Sequence, residues 1–365
     1  MTLPPLDAIP ASVAAVTDYE PLARERMSAA AWAYFAGGAG DEWTRRENVA
    51  AFDRLPLRPR ALRDLSTATT RTRLLGLDLA APILLAPVAF QRMAHGDGEY
   101  ATVHAAGALD TVAVVSTQAS VDLADLAGLA TRPLWFQLYI QPDRAFTAAL
   151  VRRAEEAGYR ALVVTVDAPA TGMRWREQRA GFALPAGIEA VNLRGMRGLP
   201  PAPRDALLFG TPLAAAAPTW EAIGWLRGLT RLPILLKGIA DAGDARRAID
   251  AGADGIIVSN HGGRSLDGAA AAIDLLPPIA DTVAGAVPLL MDGGVRRGTD
   301  VLRALALGAG AVLVGRPYIF ALAAAGAVGV AHVLRLLRAE LELAMALTGC
   351  PDIAAIDRSI LAGRA

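Results

Sequence analysis

The chain has 365 residues, 53% of them hydrophobic, with 36 basic and 36 acidic side chains and a formal net charge of zero. That balance argues against general nucleic-acid or acidic-lipid binding, and the one cysteine, Cys350, excludes an internal disulfide framework and a cysteine-cluster metal site. Length alone suggests about two domains, but α/β barrels often exceed about 200 residues as a single domain.

The first stretch, MTLPPLDAIPASVAAV, carries Asp7 and prolines and lacks a basic n-region, so no signal peptide is expected. No uncharged apolar run reaches the roughly 18 residues of a membrane span. Residues 311–334 contain Arg316 and Pro317 and read as a strand, a turn and a helix. A soluble cytoplasmic protein is the expectation. Residues 17–51 read as helical, with Asp18 as a cap and Gly37 and Gly38 closing the first segment. The proline-rich LPLRPRALRDLST crosses the surface, and RTRLLGLDLAA (71–81) reads as a hairpin turning at Gly76.

From residue 82 short β-rich runs alternate with helical stretches. The runs are 83–90, 111–116, 134–139, 161–167, 233–238, 255–260, 288–294 and 311–316. Each is nearly continuous in apolar residues, the mark of parallel strands covered on both faces. Eight strand–helix units predict an α/β fold, a (β/α)8 TIM barrel, rather than a doubly wound open sheet with fewer strands. The prediction is one domain over 1–365, with a barrel at about 82–345, an N-terminal helical extension, and the 71–81 hairpin under the barrel. Residues 170–231, between the fourth and fifth strands, read as a long active-site loop.

Barrel chemistry sits at the C-terminal ends of strands. Those ends carry Gln137 and Tyr139; Thr165 and Asp167; Lys237; Ser259, His261 and Arg264; Asp292 and Arg296; and Arg316. A single buried polar group at a strand end is commonly structural; six strands sharing the feature point to a site. DGGVRRG (292–298) and GRP (315–317) stand where barrels bind phosphate, with glycines that let backbone N–H groups approach an anion. Lys237 is compatible with a Schiff base, a phosphate contact or stabilisation of an electron-rich ring, and the residues leave these open. Among the four histidines, His104 and His332 read as surface or packing residues and His95 as structural. His261 alone combines a strand end, adjacent glycines and a nearby arginine. An imidazole there suits a general base, Arg264 suits a carboxylate clamp, and Asp167 suits the orientation of the imidazole.

These residues resemble the FMN-dependent (S)-2-hydroxy-acid oxidases and dehydrogenases, the group that includes glycolate, lactate and hydroxymandelate oxidases and mandelate dehydrogenase. The resemblance spans about residues 17–360 through DYEPLARERM, FAGGAGDEWTRREN, RMAHGDGE, WFQLY, TVDAP, LKGI, SNHGGRSLDG, DGGVRRGTDVLRALALGA and VGRP. It implies His261 as the active-site base paired with Asp167. Arg264 and Arg174 would bind the substrate carboxylate, with the hydroxyls of Tyr19 and Tyr139. Lys237 would sit by the flavin, and Ser116, Gln137 and Thr165 would hydrogen-bond its ring. Pro87, Val88 and Ala89 would line its other face. Ser259, Asp292, Gly293, Gly294, Arg296, Gly315 and Arg316 would complete the FMN site, and no metal is implied. A homotetramer or octamer follows from the same resemblance.

Three positions depart from the glycolate oxidase pattern: Phe90, Gln118 and Met173. They put simple glycolate activity in doubt, and residues 83–184, with APVAFQR, WFQLY and GFALP, resemble the hydroxymandelate oxidases more, which implies a bulkier 2-hydroxy acid of mandelate or hydroxymandelate type; O2 is the expected acceptor. The alternatives are a dehydrogenase passing electrons to a quinone or carrier protein, and oxidation of a natural-product or peptide intermediate. An inosine-monophosphate dehydrogenase relative would need a catalytic cysteine on a barrel loop, whereas Cys350 lies near the C-terminus. A barrel retained only as a binding module would not need all of His261, Arg264, Arg174, Lys237 and Asp167.

Overall fold

Three short helices open the chain: α1 (Tyr19–Arg26), α2 (Ala29–Ala36) and α3 (Trp43–Ala50). The computed structural model describes residues 2–202 and 207–363. The break between α1 and α2 falls at Ser28, whose side chain accepts from Ala31 N at 3.1 Å and caps α2. Asp18 does stand at the head of α1, but its carboxylate turns back to the N–H groups of Ala14 and Ala15. The hairpin of β1 (Thr72–Leu74) and β2 (Leu77–Leu79) turns at Leu75 and Gly76, both at positive φ, as a tight primed turn requires.

Eight parallel strands follow: β3 (Ile83–Leu85), β4 (Val114–Ser116), β5 (Trp135–Leu138), β6 (Leu162–Thr165), β7 (Ile234–Ile239), β8 (Gly255–Val258), β9 (Leu289–Asp292) and β10 (Ala311–Val314). They pair in sequence order from β4 to β10, β10 pairs with β3, and a parallel bridge from Leu85 to Ala113 closes the ring. The result is the (β/α)8 barrel that the eight apolar runs predict. Its helices are α4 (Glu99–Ala108), α5 (Leu123–Leu129), α6 (Arg144–Glu156), α7 (Trp175–Arg179), α8 (Pro212–Ala215), α9 (Trp220–Leu229), α10 (Ala242–Asp250), α11 (Ala272–Val283), α12 (Gly298–Ala306) and α13 (Arg316–Thr348).

The 170–231 connection differs from the expectation of one long loop. It carries α7 and α8, and α9 is the barrel helix of the fourth unit, with Ala222, Ile223 and Leu226 buried. Positions 203–206 of it lie outside the described residues. Helix α13 is long and apolar enough to cross a membrane, but Ala325 and Gly326 leave the helical region, and two thirds of its most apolar window is buried. Its first half is core.

Successive side chains of a strand point to opposite faces, so every second residue enters the barrel. A buried cluster of alternate positions fills the interior: Leu84, Val114, Trp135, Val163, Leu235, Ile257, Leu290 and Leu313, floored by Leu74 and Leu79 of the hairpin. Removing one such leucine side chain costs about 2–5 kcal/mol. Two residues further along, the same parity gives Ala86 after β3, and Ser116, Gln137, Thr165, Lys237, Ser259, Asp292 and Gly315 for the other seven strands. The barrel therefore changes from apolar to polar in one step of the β repeat, and that step is the floor of the site.

Candidate active site

A cavity of about 590 Å³ opens above this polar layer, lined from β3, β4, β5, β6, β7, β9 and β10, from the loop after β8, and from α2. Gln137 ties the floor together. Its amide accepts from Ser116 Oγ and donates to Thr165 Oγ1, at 3.2 and 3.1 Å. Lys237 is buried, with Nζ 2.8 Å from Asp292 Oδ2 and 3.0 Å from Ser259 Oγ. Burial by itself would lower the Lys237 pKa, but the Asp292 and Asp167 carboxylates outweigh it and hold the ammonium above its ordinary value. Ser259 is fully buried and absent from the cavity lining. It supports Lys237 and Asp292 from below rather than meeting a cofactor itself, because its hydroxyl is used by Lys237, by Asp292 and by His261 N.

His261 adopts left-handed backbone, φ 57°, at the turn after β8. That unusual conformation for a residue with a Cβ carries the ring over the barrel mouth. Nδ1 lies 2.8 Å from Asp167 Oδ1, while the ring lines the cavity, so Nε2 is the nitrogen left for a substrate. Burial pushes the Asp167 carboxyl up, but His261 and Lys237 more than compensate and keep it below the usual carboxylate value. Gly238 makes this approach possible: at φ 103°, a Cβ there would lie 2.5 Å from Asp167 Cβ.

Arg174 and Arg264 enter the cavity from the β6–β7 connection and the β8 loop. Arg264 donates to the carbonyls of Tyr34 and Gly37, and its guanidinium lies over the Tyr34 ring at 4.9 Å. Both arginines converge on one oxygen of Glu177, Arg264 Nη2 at 3.3 Å and Arg174 Nη1 at 3.4 Å. Tyr139 lines the cavity, and burial pushes its hydroxyl up to about 12, so it stays protonated and able to donate at neutral pH. The Tyr34 hydroxyl is raised for the same reason.

Tyr19 is the misplaced residue. It is fully buried between α1 and α13, its hydroxyl 2.8 Å from His332 Nδ1, and burial pushes it up to about 12. The tyrosine that reaches the cavity from the N-terminal extension is Tyr34, in the last turn of α2. It stands immediately before the FAGGAG motif, outside the barrel strands whose ends mark the other site residues. Phe182 and Glu177 likewise lie outside those strands, in the β6–β7 connection. The pairing Arg174-x-x-Glu177 on one helical turn is the signal that could have found the latter.

Another part of the cavity wall is built for an anion. Pro87, Val88 and Ala89 line it from β3, and Gly293, Gly294 and Gly315 from β9 and β10. Arg296 and Arg316 both line it, and neither makes an ion pair among the described residues. Arg316 donates to the carbonyls of Phe35, Gly37 and Gly262, and Arg296 to that of Val295. Burial lowers the Arg296 guanidinium to about 10 and Arg316 well below its ordinary value. Two half-buried guanidinium groups without a carboxylate call for a doubly charged anion such as a phosphate monoester. The Gln137 network and Lys237 line the same cavity, a hydrogen-bonding edge with a cation. The donor set fits FMN.

Residues 23–363 match the family model described as FMN-dependent dehydrogenase. The chain is 48% identical over 352 residues to an L-lactate oxidase of Nostoc sp., covering 94% of this chain and 96% of the relative. It is 45% identical to glycolate oxidase 1 of Zea mays, covering 94% of each. A structure of a mandelate oxidase mutant with (S)-mandelic acid superposes with a TM-score of 0.87 at 43% identity, covering 96% of this chain and 98% of that one. This chain belongs to the FMN-dependent dehydrogenase family, and it is an FMN-dependent oxidoreductase on a closed (β/α)8 barrel.

Proposed function

We propose that this protein oxidises (S)-2-hydroxy acids bulkier than glycolate to 2-oxo acids and passes the electrons to O2, giving H2O2. The observation that carries the reading is the meeting, in one cavity, of the His261–Asp167 pair with two inward guanidinium groups, Arg174 and Arg264. A carboxylate on those guanidinium groups is held by charge-assisted bonds, roughly twice as strong as neutral ones. His261 Nε2 accepts a proton from the substrate, and Asp167 stabilises the imidazolium that forms. The Tyr34 and Tyr139 hydroxyls orient the substrate's oxygens. Lys237 places a fixed positive charge beside the Gln137 edge. FMN, when bound, supplies the two-electron acceptor for the substrate. Gln118, Phe90 and Phe182 also line the cavity, with Tyr34 stacked on Phe182 at 5.0 Å and edge-on to Phe90 at 6.1 Å. An aromatic wall of this kind favours a mandelate-type side chain over the hydrogen of glycolate.

The solved mandelate oxidase with (S)-mandelic acid and the lactate and glycolate oxidase relatives support this reading. A cytoplasmic homotetramer or octamer is part of the proposal; its oligomeric state is tested by size-exclusion chromatography with light scattering. Oxygen uptake and peroxide release across glycolate, lactate, mandelate and hydroxymandelate test the rest. Dye reduction without oxygen uptake would instead make the enzyme a dehydrogenase with a quinone or protein acceptor.

A further inference from the structure

We propose that Glu177 sets the charge that the substrate clamp accepts, so that the site takes 2-hydroxy acids bearing one carboxylate and disfavours those bearing two. The inference rests on the function proposed above and narrows its substrate class.

Glu177 sits on α7, three residues after Arg174. Its Oε1 receives both guanidinium groups, at 3.3 and 3.4 Å, and its side chain is only 13% exposed, as Arg264 is 14% and Arg174 is 18%. All three line the cavity. Nε of Arg174 is buried without a partner, so the clamp retains unmet donor capacity after Glu177 is bound. Among the other charged groups, Lys237 lies on Asp292, Asp167 is hydrogen-bonded to His261, and Arg296 and Arg316 would be answered by the phosphate of bound FMN. The clamp itself thus holds two cations and one anion, and one positive charge remains for a ligand. A monocarboxylate neutralises it. A second carboxylate on the same ligand would meet Glu177 with no free cation to answer it.

Glu177 is also fixed in place. The next residue toward the N-terminus, Arg176, forms an ion pair with Glu42 at 2.6 Å, and Glu42 also accepts from Arg45 and from Gly38 N. Helix α7 is tied by this network to the N-terminal extension, so Glu177 does not swing away when a ligand arrives. It is a positioning residue that acts through the two arginines, and its negative charge is the property that selects.

The test uses the FMN-loaded protein and two similar, non-oxidisable anions, propionate with one carboxylate and malonate with two. Their dissociation constants are read from the change in flavin absorbance, for the wild type and for Glu177→Gln and Glu177→Asp. The expectation for Glu177→Gln is a gain in malonate affinity relative to propionate on the order of tenfold or more, because removing a unit charge a few ångströms from the ligand changes a Coulomb term of that size. Glu177→Asp keeps the charge and should stay near the wild-type ratio. A malonate-to-propionate ratio unchanged in Glu177→Gln, or changed equally in Glu177→Asp, overturns the inference. If Glu177→Gln does not retain flavin, Glu177→Asp together with Glu177→Ala gives the same comparison. Failure of the function itself is read separately, as a wild-type flavin that no 2-hydroxy acid reduces.

Discussion

His261 Nδ1 and Asp167 Oδ1 stand 2.8 Å apart although they follow different strands, β8 and β6, with β7 between them. The contact crosses over Gly238 of β7, whose missing side chain leaves the gap. Gly238→Ala should therefore separate the pair or force a new backbone shape there. Flavin reduction is expected to fall by about two orders of magnitude or more, the usual worth of a positioned proton acceptor, with FMN still bound. Stopped-flow reduction measures it, and a near-normal rate would show that the contact is dispensable.

The same pair predicts an acid limb of stability. The Asp167 pKa is lowered in the folded protein, so its ionised form stabilises the fold fully above the unfolded carboxyl value near 4, and that contribution is lost as pH falls through the folded value. Asp167→Asn should lose melting temperature less steeply than the wild type below about pH 4. Parallel acid limbs would contradict this.

Lys237 and Asp292 form a buried ion pair at 2.8 Å. Lys237→Met leaves an unanswered carboxylate and should cost about 3–5 kcal/mol. Lys237→Met with Asp292→Asn should recover much of the stability and none of the activity. Denaturant unfolding of the two variants tests the first statement and flavin reduction the second. Because the Lys237 pKa is raised, its contribution persists below the unfolded value of about 10.4 and declines only above it.

Arg264→Lys should weaken substrate binding about tenfold to a hundredfold, since an ammonium cannot make the fork that reaches Tyr34 O, Gly37 O and the cavity together. Steady-state kinetics should show this in KM more than in kcat. An unchanged KM argues against the clamp.

Arg296 is half-buried and makes no ion pair among the described residues, so Arg296→Gln should relieve the cofactor-free protein while weakening FMN. Melting temperatures with and without FMN should converge in this variant. Each tenfold loss of affinity removes about 1.4 kcal/mol of ligand-linked stability. An undiminished shift on adding FMN would remove Arg296 from the phosphate site.

Much of the barrel is legible in the sequence because parallel strands buried on both faces must be apolar throughout, and runs such as ILL, LVVT and GIIV have no other reading beside their helices. The polar floor is legible for the same reason: Lys237 and Asp292 break apolar runs at their ends. What the sequence hides is whatever reaches the site through space. Tyr34 arrives from a helix outside the barrel rhythm, and Tyr19, earlier in the chain within a matching motif, faces α13 instead. Glu177 sits in a connection where no periodicity assigns a facing. Ser259 has the right parity but lies wholly beneath Lys237 and Asp292, a depth that strand alternation does not encode.

The most direct measurement is anaerobic mixing of the FMN-loaded protein with (S)-mandelate, (S)-lactate and glycolate while the oxidised-flavin absorbance is followed. The expected result is rapid loss of that absorbance with the two (S)-acids, slower loss with glycolate, and none in His261→Ala that still binds FMN. Absorbance that persists in the wild type with all three acids, or falls equally fast in His261→Ala, would contradict the assignment of His261 as the substrate's proton acceptor beside the flavin.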